Sequence, residues 1–218
     1  LKGSELIKRI VTAMNLSFSG SIDDFVFDAK NSNESTTLKT LIIESLKYST
    51  ENMFDNQYFS QFKEQYFPTR EVYINSKKTW DEVIKSNDLN NIQNFLNENM
   101  IKFEYDFDDS ATYSISDEKG SATKLMILFQ EIIFNAVKYS SFVVKNDRKL
   151  IISLKKDNGN IIFDVKNSCL IDLVEKSTGL GKEIIANFTK LLQTQPIVTK
   201  ENNLYDVKIV FKNFWEQT

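Results

Sequence analysis

The sequence contains no histidine, and this absence excludes several kinds of catalytic site. Serine hydrolases of the Ser/His/Asp type and cysteine nucleophiles paired with histidine need an imidazole as base, and many zinc sites need one as ligand. Any chemistry of this chain must therefore use carboxylates, amides, lysines or a bound metal. The single cysteine, Cys169, cannot form a disulfide within the chain, which is typical of a reducing compartment and predicts a cytoplasmic protein.

Two further absences concern partners. The 218 residues contain no apolar run long enough to cross a bilayer and no signal-peptide pattern, so we expect no membrane segment in this chain. The net charge of −3 provides no overall attraction for phosphate, and we expect no nucleic-acid partner.

The chain begins at Leu1 rather than at a methionine, which favours the interpretation that it is a piece of a longer protein.

Proline is scarce, and one of the two prolines marks the main change of pattern. Before Pro68, apolar residues recur every three or four positions over residues 4–30 and 35–66, which predicts two helices in an antiparallel hairpin. The residue before a proline is disfavoured in a helix, so we place a boundary at Phe67-Pro68. Residues 1–68 are predicted to be a helical dimerisation segment, and residues 69–218 a second domain.

After Pro68 the pattern switches between strand and helix periods. Alternation predicts strands at residues 70–75, 101–107, 111–115, 149–155, 161–166, 197–200 and 205–211, and helical spacing predicts helices at 87–100, 121–139 and 180–192. The Asn158-Gly159 pair between two of these strands indicates a tight hairpin. Because each helix has one apolar stripe and the sheet one apolar face, we predict an α+β fold, a two-layer sandwich with a mixed, mainly antiparallel sheet.

The predicted helix 121–139 places three polar side chains on one face. Glu131 and Asn135 are one turn apart, and Lys138 follows three residues later. Carboxylate and amide oxygens can hold Mg²⁺ directly or through water, and a lysine supplies positive charge to a phosphate. A solvated helix face is the alternative interpretation, but the large apolar residues that precede Asn135 favour a site.

The segment Phe129-Gln-Glu-Ile-Ile-Phe-Asn-Ala-Val-Lys-Tyr-Ser140 resembles the N box of the ATPase superfamily that contains gyrase, heat-shock chaperones and histidine kinases. The resemblance implies a histidine-kinase ATPase fold with ATP and Mg²⁺ as ligands. It implies that Asn135 ligates Mg²⁺ and that Glu131 holds a metal-bound water or acts as a base. It also implies that Lys138 contacts phosphate and that Tyr139 flanks the nucleotide.

A second segment, Ser177-Thr-Gly-Leu-Gly-Lys-Glu-Ile-Ile185, resembles the G2 box of the same superfamily. The resemblance implies that Gly179, Leu180 and Gly181 contact the nucleotide. Backbone amides at a glycine-rich helix start also form an anion site by themselves. The alternative is a turn that only caps the helix. The segment follows the N box by about forty residues with a hairpin between them, as the family pattern requires.

The third motif of the superfamily, Asp-x-Gly-x-Gly, aligns with Asn167-Ser-Cys-Leu-Ile171. Asn167 retains an oxygen that can accept a hydrogen bond from the adenine amino group, and it is equally consistent with a simple turn at the end of a strand. Cys169 and Ile171 replace the two glycines of the motif.

The resemblance implies an ATP·Mg²⁺-binding signalling protein of the histidine-kinase type. It further implies a homodimer formed by the N-terminal helices, and a response regulator or other signalling protein as partner. The chain contains no phosphoacceptor histidine. This absence and the replaced glycines favour an alternative, a degenerate, pseudokinase-like module that docks a partner and no longer turns over nucleotide. A second alternative, an ATP-driven clamp with Glu131 as hydrolytic base, would need a transducer domain.

Overall fold

A computed structural model describes residues 36–55, 60–115, 121–170 and 180–212. The helices in these ranges are α1 (Leu38–Asp55), α2 (Ser60–Tyr66), α3 (Arg70–Val83), α4 (Leu89–Asn99), α5 (Ser121–Ser140) and α6 (Leu180–Leu191). The strands are β1 (Lys102–Phe107), β2 (Lys149–Asp157), β3 (Asn160–Ser168), β4 (Pro196–Glu201) and β5 (Leu204–Phe211). Short 3₁₀ turns occupy Asp109–Thr112 and Lys145–Asp147. The predicted helix 4–30 lies outside the described residues. Within the described ranges, no helix is both long and apolar enough to cross a membrane.

The strands form one mixed sheet in the order β1-β2-β3-β5-β4. β1 runs parallel to β2, and the other neighbouring pairs are antiparallel. Two-residue turns join β2 to β3 and β4 to β5. Their residues all have positive φ: 48° at Asn158, 84° at Gly159, 51° at Asn202 and 61° at Asn203. Such left-handed pairs match the twist of a tight hairpin, and the hairpin predicted at Asn158-Gly159 is confirmed.

Helix α5 lies against one face of the sheet and organises the core. Alternate residues of the central strands point toward that face and are buried, namely Leu150, Ile152, Leu154, Ile161, Phe163, Val165, Val207, Ile209 and Phe211. Phe129 of α5 stacks on Phe163 of β3 with 4.1 Å between the ring centroids. The predicted α+β fold, with helices on a mixed, mainly antiparallel sheet, is therefore confirmed.

Residues 70–75, predicted as a strand, form the beginning of helix α3. Thr69 caps this helix, because its side chain accepts a hydrogen bond from the backbone N–H of Val72. The alternating Val72 and Ile74 are 41% and 50% exposed, so their apolar character does not mark a buried sheet face. The helix buries Trp80 instead. The strand prediction was wrong because so short an alternation does not distinguish the two structures.

Residues 111–115, predicted as a strand, belong to a 3₁₀ turn and an isolated β-bridge. The carboxylate of Asp108 accepts hydrogen bonds from both the backbone N–H and the hydroxyl of Ser110. A side-chain cap of this kind offers the backbone an alternative to strand pairing. Ser114 then pairs with Thr37 in an isolated bridge.

The predicted helix 35–66 is divided into α1 and α2, with residues 56–59 between them outside the described part. α1 packs against α5, and its described side chains are buried or half-buried except that of Lys39. Phe54 near the end of α1 stacks on Phe67 with 4.4 Å between the ring centroids. α1 therefore contributes to the same core as the sheet. The domain division at residue 68 and the dimerisation role of residues 1–68 stay predictions.

The sheet face away from α5 carries charged side chains on β3 and β5. Lys166 Nζ lies 3.3 Å from Asp164 Oδ2 and 3.4 Å from Asp206 Oδ2. The Oδ1 atoms of both carboxylates are buried, and the described residues provide no hydrogen-bond partner for them. Burial and the neighbouring Asp206 carboxyl raise the pKa of Asp164 to about 6.

This raised pKa predicts an unusual dependence of stability on pH. An acid whose pKa is higher in the folded state binds protons more tightly there, so protonation below about pH 6 favours folding. Without histidine, no side chain of ordinary pKa titrates between about pH 5 and 8. We expect the urea midpoint of unfolding to rise as the pH falls from about 7.5 to 5, and we expect Asp164→Asn to remove this rise.

The matched control is Asp106→Asn, which changes an exposed carboxylate on β1 that pairs with Lys155. This variant is expected to retain the wild-type rise. Parallel pH profiles for wild type and Asp164→Asn would contradict the prediction.

Candidate functional site

Helix α5 positions the two central side chains of the candidate site. Its other face, which includes Phe129 and Ile133, is buried in the core. Glu131 and Asn135 are half-buried one turn apart, and Asn135 Nδ2 donates a hydrogen bond of 2.8 Å to Glu131 Oε1. The described residues provide no hydrogen-bond partner for Asn135 Oδ1 or Glu131 Oε2. These two oxygens are therefore available as ligands.

The beginning of α6 lies directly against this pair. A Cβ added at Gly181 would overlap Glu131 Oε1 and would lie 2.7 Å from Asn135 Nδ2. The φ of Gly181 is outside the left-handed region, so a side chain there would be opposed by this close approach rather than by the backbone conformation, and Glu131 and Asn135 would have to move to admit it. The structure thus brings Gly181 against Asn135 and Glu131, from which it is separated by 46 and 50 positions in the sequence.

Lys138, the third polar residue of the α5 face, is surrounded by aromatic rings. Its Nζ lies 4.4 Å from the ring centroid of Tyr139, 5.7 Å from that of Phe62 and 5.8 Å from that of Phe134. Ring faces attract a cation at such distances. Within the described residues Lys138 forms no ion pair, so its charge is not neutralised by a carboxylate there. The contact between Lys138 and Phe62 was not predicted from the sequence. Phe62 belongs to α2, which precedes the sheet in the chain and is called the front helix below.

Asn167 lies within β3, between Leu150 of β2 and Tyr205 of β5, rather than in a turn. It is 3% exposed, and its Nδ2 donates hydrogen bonds to the carbonyl of Ser168 at 2.9 Å and to Ser140 Oγ at 3.3 Å. Both hydrogen bonds donated by the amide nitrogen therefore lie where the end of β3 meets the end of α5. No donor to Asn167 Oδ1 is found among the described residues, so this oxygen can accept a hydrogen bond from a ligand.

Two tyrosines and the cysteine lie at the same end of the sheet. Burial raises the pKa of Tyr205, and the Cys169 thiol and the Tyr139 hydroxyl raise it further. Cys169 is fully buried, and its backbone N–H donates a hydrogen bond of 2.9 Å to the carbonyl of Asn203. The backbone after β3 is therefore tied to the β4–β5 turn. Tyr205 was missed in the sequence because only strand pairing brings it next to Asn167.

The remaining predicted site residues, Gly179 and Leu180, directly precede Gly181 in the sequence. Gly179 lies outside the described residues. Leu180 begins α6, and its backbone is therefore next to Gly181 and the Glu131–Asn135 pair. The unpaired backbone N–H groups of this first turn form the kind of end at which anions bind.

The oxygens at the centre of the site suit a hard cation that keeps part of its water shell. Mg²⁺ is usually held by one or two protein oxygens together with water and substrate phosphates. Glu131 and Asn135 provide such a pair of oxygens. Within the described part of the chain, no group of three or more His, Cys, Asp or Glu could hold a metal ion.

The chain is similar in structure to several solved proteins. No protein-family model matches it, and no curated protein matches it. The histidine kinase AdeS of Acinetobacter baumannii is 18% identical over 62% of this chain and 64% of that chain, with a TM-score of 0.41. The catalytic domain of histidine kinase ThkA is 14% identical over 66% of this chain and 90% of that chain, with a TM-score of 0.41. The histidine kinase domain of the blue-light-activated kinase EL346 from Erythrobacter litoralis is 14% identical over 82% of this chain and 95% of that chain, with a TM-score of 0.46. All three of these structural neighbours are histidine kinases or domains of histidine kinases.

Proposed function

We propose that this chain binds ATP·Mg²⁺ between α5 and the beginning of α6 and acts as a histidine-kinase-like signalling protein. The observation that carries the proposal is the placement of Gly181 directly against Glu131 and Asn135. This contact joins a carboxylate, an amide and a helix start, which are the groups that a nucleotide with its metal requires. It also joins the two sequence segments that resemble the N box and the G2 box.

Each residue has a proposed task at the phosphate end of the ligand. Asn135 Oδ1 would ligate Mg²⁺, and Glu131 would hold a metal-bound water or act as a base. Lys138 would contact phosphate, because its ammonium is held over ring faces without a carboxylate partner among the described residues. The N–H groups of Leu180 and Gly181 would bind phosphate oxygens at the α6 start. The bound Mg²⁺ would neutralise charge on the phosphates.

The nucleoside end would lie toward the ends of β3 and α5. Asn167 Oδ1 would accept a hydrogen bond from the adenine amino group, since the amide donor is already directed at Ser168 and Ser140. Tyr139 would flank the nucleotide, and Gly179 would extend the phosphate-binding backbone of α6. The acceptor of a transferred phosphoryl group would lie on another chain or in a further part of this protein, or would be a serine, because the sequence has no histidine.

The proposed partners follow from this assignment. The proposed assembly is a homodimer formed by the N-terminal helices, and a response regulator or other signalling protein would receive the signal. Since the described side chains of α1 other than Lys39 are buried or half-buried, α1 presents little free surface. The proposed dimer contact stays assigned to the helical segment of residues 1–68.

Calorimetric titration with Mg·ATP tests the proposal. We expect wild type to bind and Asn135→Ala to bind at least about tenfold more weakly, because removing even a residue that only supports a metal ligand typically costs about 10- to 100-fold. Stability should change by no more than about 0.5 kcal/mol, because the lost hydrogen bond to Glu131 is offset by the higher helix propensity of alanine. Asn94→Ala, at an exposed position of α4, is the matched control and should bind as wild type does.

Equal binding by wild type and Asn135→Ala would remove the proposed site. Absence of binding in every protein would favour the alternative, a degenerate, pseudokinase-like module that docks a partner. That alternative is supported by Cys169, which is fully buried where the resemblance requires a glycine. If ATP binds, incubation with γ-labelled ATP separates a binding module from a kinase or ATPase, because only the latter two release or transfer the label.

A further inference from the structure

The front helix α2 contacts the C-terminal end of the site helix α5. Tyr66, the last residue of α2, is buried, and its hydroxyl donates a hydrogen bond of 2.6 Å to the carbonyl of Val137. This carbonyl is one of the last four of α5, which have no partner inside the helix. The next residue is Lys138, and Phe62 of α2 lies 5.7 Å from its Nζ. Two residues of α2 thus contact the part of α5 that carries the candidate site.

A buried arginine joins the same two helix ends. Arg148 is 6% exposed and donates hydrogen bonds to three carbonyls: Gln65 at 3.0 Å, Ser141 at 2.9 Å and Val143 at 2.8 Å. Its guanidinium carbon lies 4.9 Å from the ring centroid of Tyr66. The carbonyl ends of helices carry partial negative charge, and the ring face adds to it. This accounts for a buried cation that contacts no carboxylate among the described residues.

The two contacts limit how α2 can move. A displacement of α2 that broke the Tyr66 and Arg148 bonds would leave the buried Val137 carbonyl without the Tyr66 hydroxyl, which is unfavourable. A displacement that kept them would carry along the last turn of α5, with Lys138 and Tyr139. In both cases a change in the front helix alters the end of the site helix.

We propose that Tyr66 is a positioning residue through which the front helix α2 regulates ligand binding at the α5–α6 site. The inference rests on the proposed function for the identity of the ligand, ATP·Mg²⁺. Tyr66 itself does not touch the ligand. It holds the Val137 carbonyl, and thereby the position of the Lys138 ammonium that would contact phosphate.

Coupling between two parts of a protein is reciprocal. If the position of α2 affects ligand affinity, the ligand must in turn change the stability of the α2 contact. Ligand binding is therefore expected to slow amide hydrogen exchange in residues 60–66, although the proposed ligand contacts lie on α5, α6 and β3. A residue with only a packing role would not transmit this protection.

The test compares the full chain as wild type, Tyr66→Phe and Tyr105→Phe at a temperature at which all three are folded. Tyr66→Phe removes one buried hydroxyl and keeps the ring on Arg148. Tyr105→Phe removes a hydroxyl that bonds to Asn90 on the exposed surface and serves as the control. We expect Tyr66→Phe to weaken Mg·ATP binding by about 3- to 30-fold, the usual range for residues that transmit coupling, and Tyr105→Phe to leave it unchanged. Ligand protection of residues 60–66 should be lost in Tyr66→Phe alone.

Hydrogen exchange without ligand keeps the test independent of the proposed function. Tyr66→Phe is expected to speed exchange in residues 137–143 more than elsewhere in the chain. If wild type binds no Mg·ATP, the proposed function fails, and this local change still decides whether Tyr66 positions the end of α5. Wild-type affinity in Tyr66→Phe, or uniformly faster exchange over the whole chain, would overturn the inference.

Discussion

Replacing Gly181 by alanine is expected to abolish detectable Mg·ATP binding while leaving the fold intact. The added Cβ would overlap Glu131 Oε1 and crowd Asn135 Nδ2, so both side chains must leave their present positions. Because the displaced atoms are the ends of flexible side chains and alanine favours a helix, the free energy of unfolding should change by less than about 1 kcal/mol. Calorimetric titration and urea unfolding of the same samples measure the two quantities.

Gly159→Ala is the matched control for this experiment. Gly159 has a φ of 84° in the β2–β3 turn, and a Cβ there would meet no atom within 4 Å. Alanine at that φ is expected to cost about 1 kcal/mol of stability through backbone strain, with no effect on ligand affinity. Gly181→Ala should therefore lose ligand affinity and keep its stability, whereas Gly159→Ala should keep its affinity and lose stability. Wild-type affinity in Gly181→Ala would contradict the assigned site.

Replacing Arg148 by methionine is expected to produce the largest loss of stability. The change would remove the donors to the carbonyls of Gln65, Ser141 and Val143, and each buried carbonyl left unpaired costs about 1–3 kcal/mol. Since the bonds to Gln65 and Val143 are only partly buried and water can reach those carbonyls, we expect a total loss of about 2–4 kcal/mol. Urea unfolding monitored by circular dichroism measures the loss.

The matched control is Arg70→Met, because Arg70 is an exposed arginine at the start of α3. Its change should stay within about 0.5 kcal/mol, as is usual for surface positions. A similarly small effect for Arg148→Met would show that the three carbonyls find other donors. A lysine at position 148 should recover only part of the loss, since an ammonium cannot reproduce the planar arrangement of guanidinium donors.

Elements whose signals are local could be predicted from the sequence. The hairpin at Asn158-Gly159 was predictable because a two-residue turn needs left-handed residues, and these are asparagine and glycine. The face of α5 was predictable because a 20-residue helix repeats its apolar spacing over several turns. The first turn of α3 was not, because Val72 and Ile74 alternate like a strand and are exposed in a helix.

For the candidate site, the sequence alone specifies the chemistry of its parts. Glu131, Asn135 and Lys138 share a face because the helical period requires it, and Gly181 lies in the first turn of a helix because the apolar pattern starts at Leu180. Their combination in one place depends on the packing of α6 against α5. The close contact at Gly181 and the link from Tyr66 and Arg148 to the end of α5 are likewise tertiary features. Contacts between residues far apart in the chain leave no periodic signal, since each is produced by the way whole helices pack on the sheet.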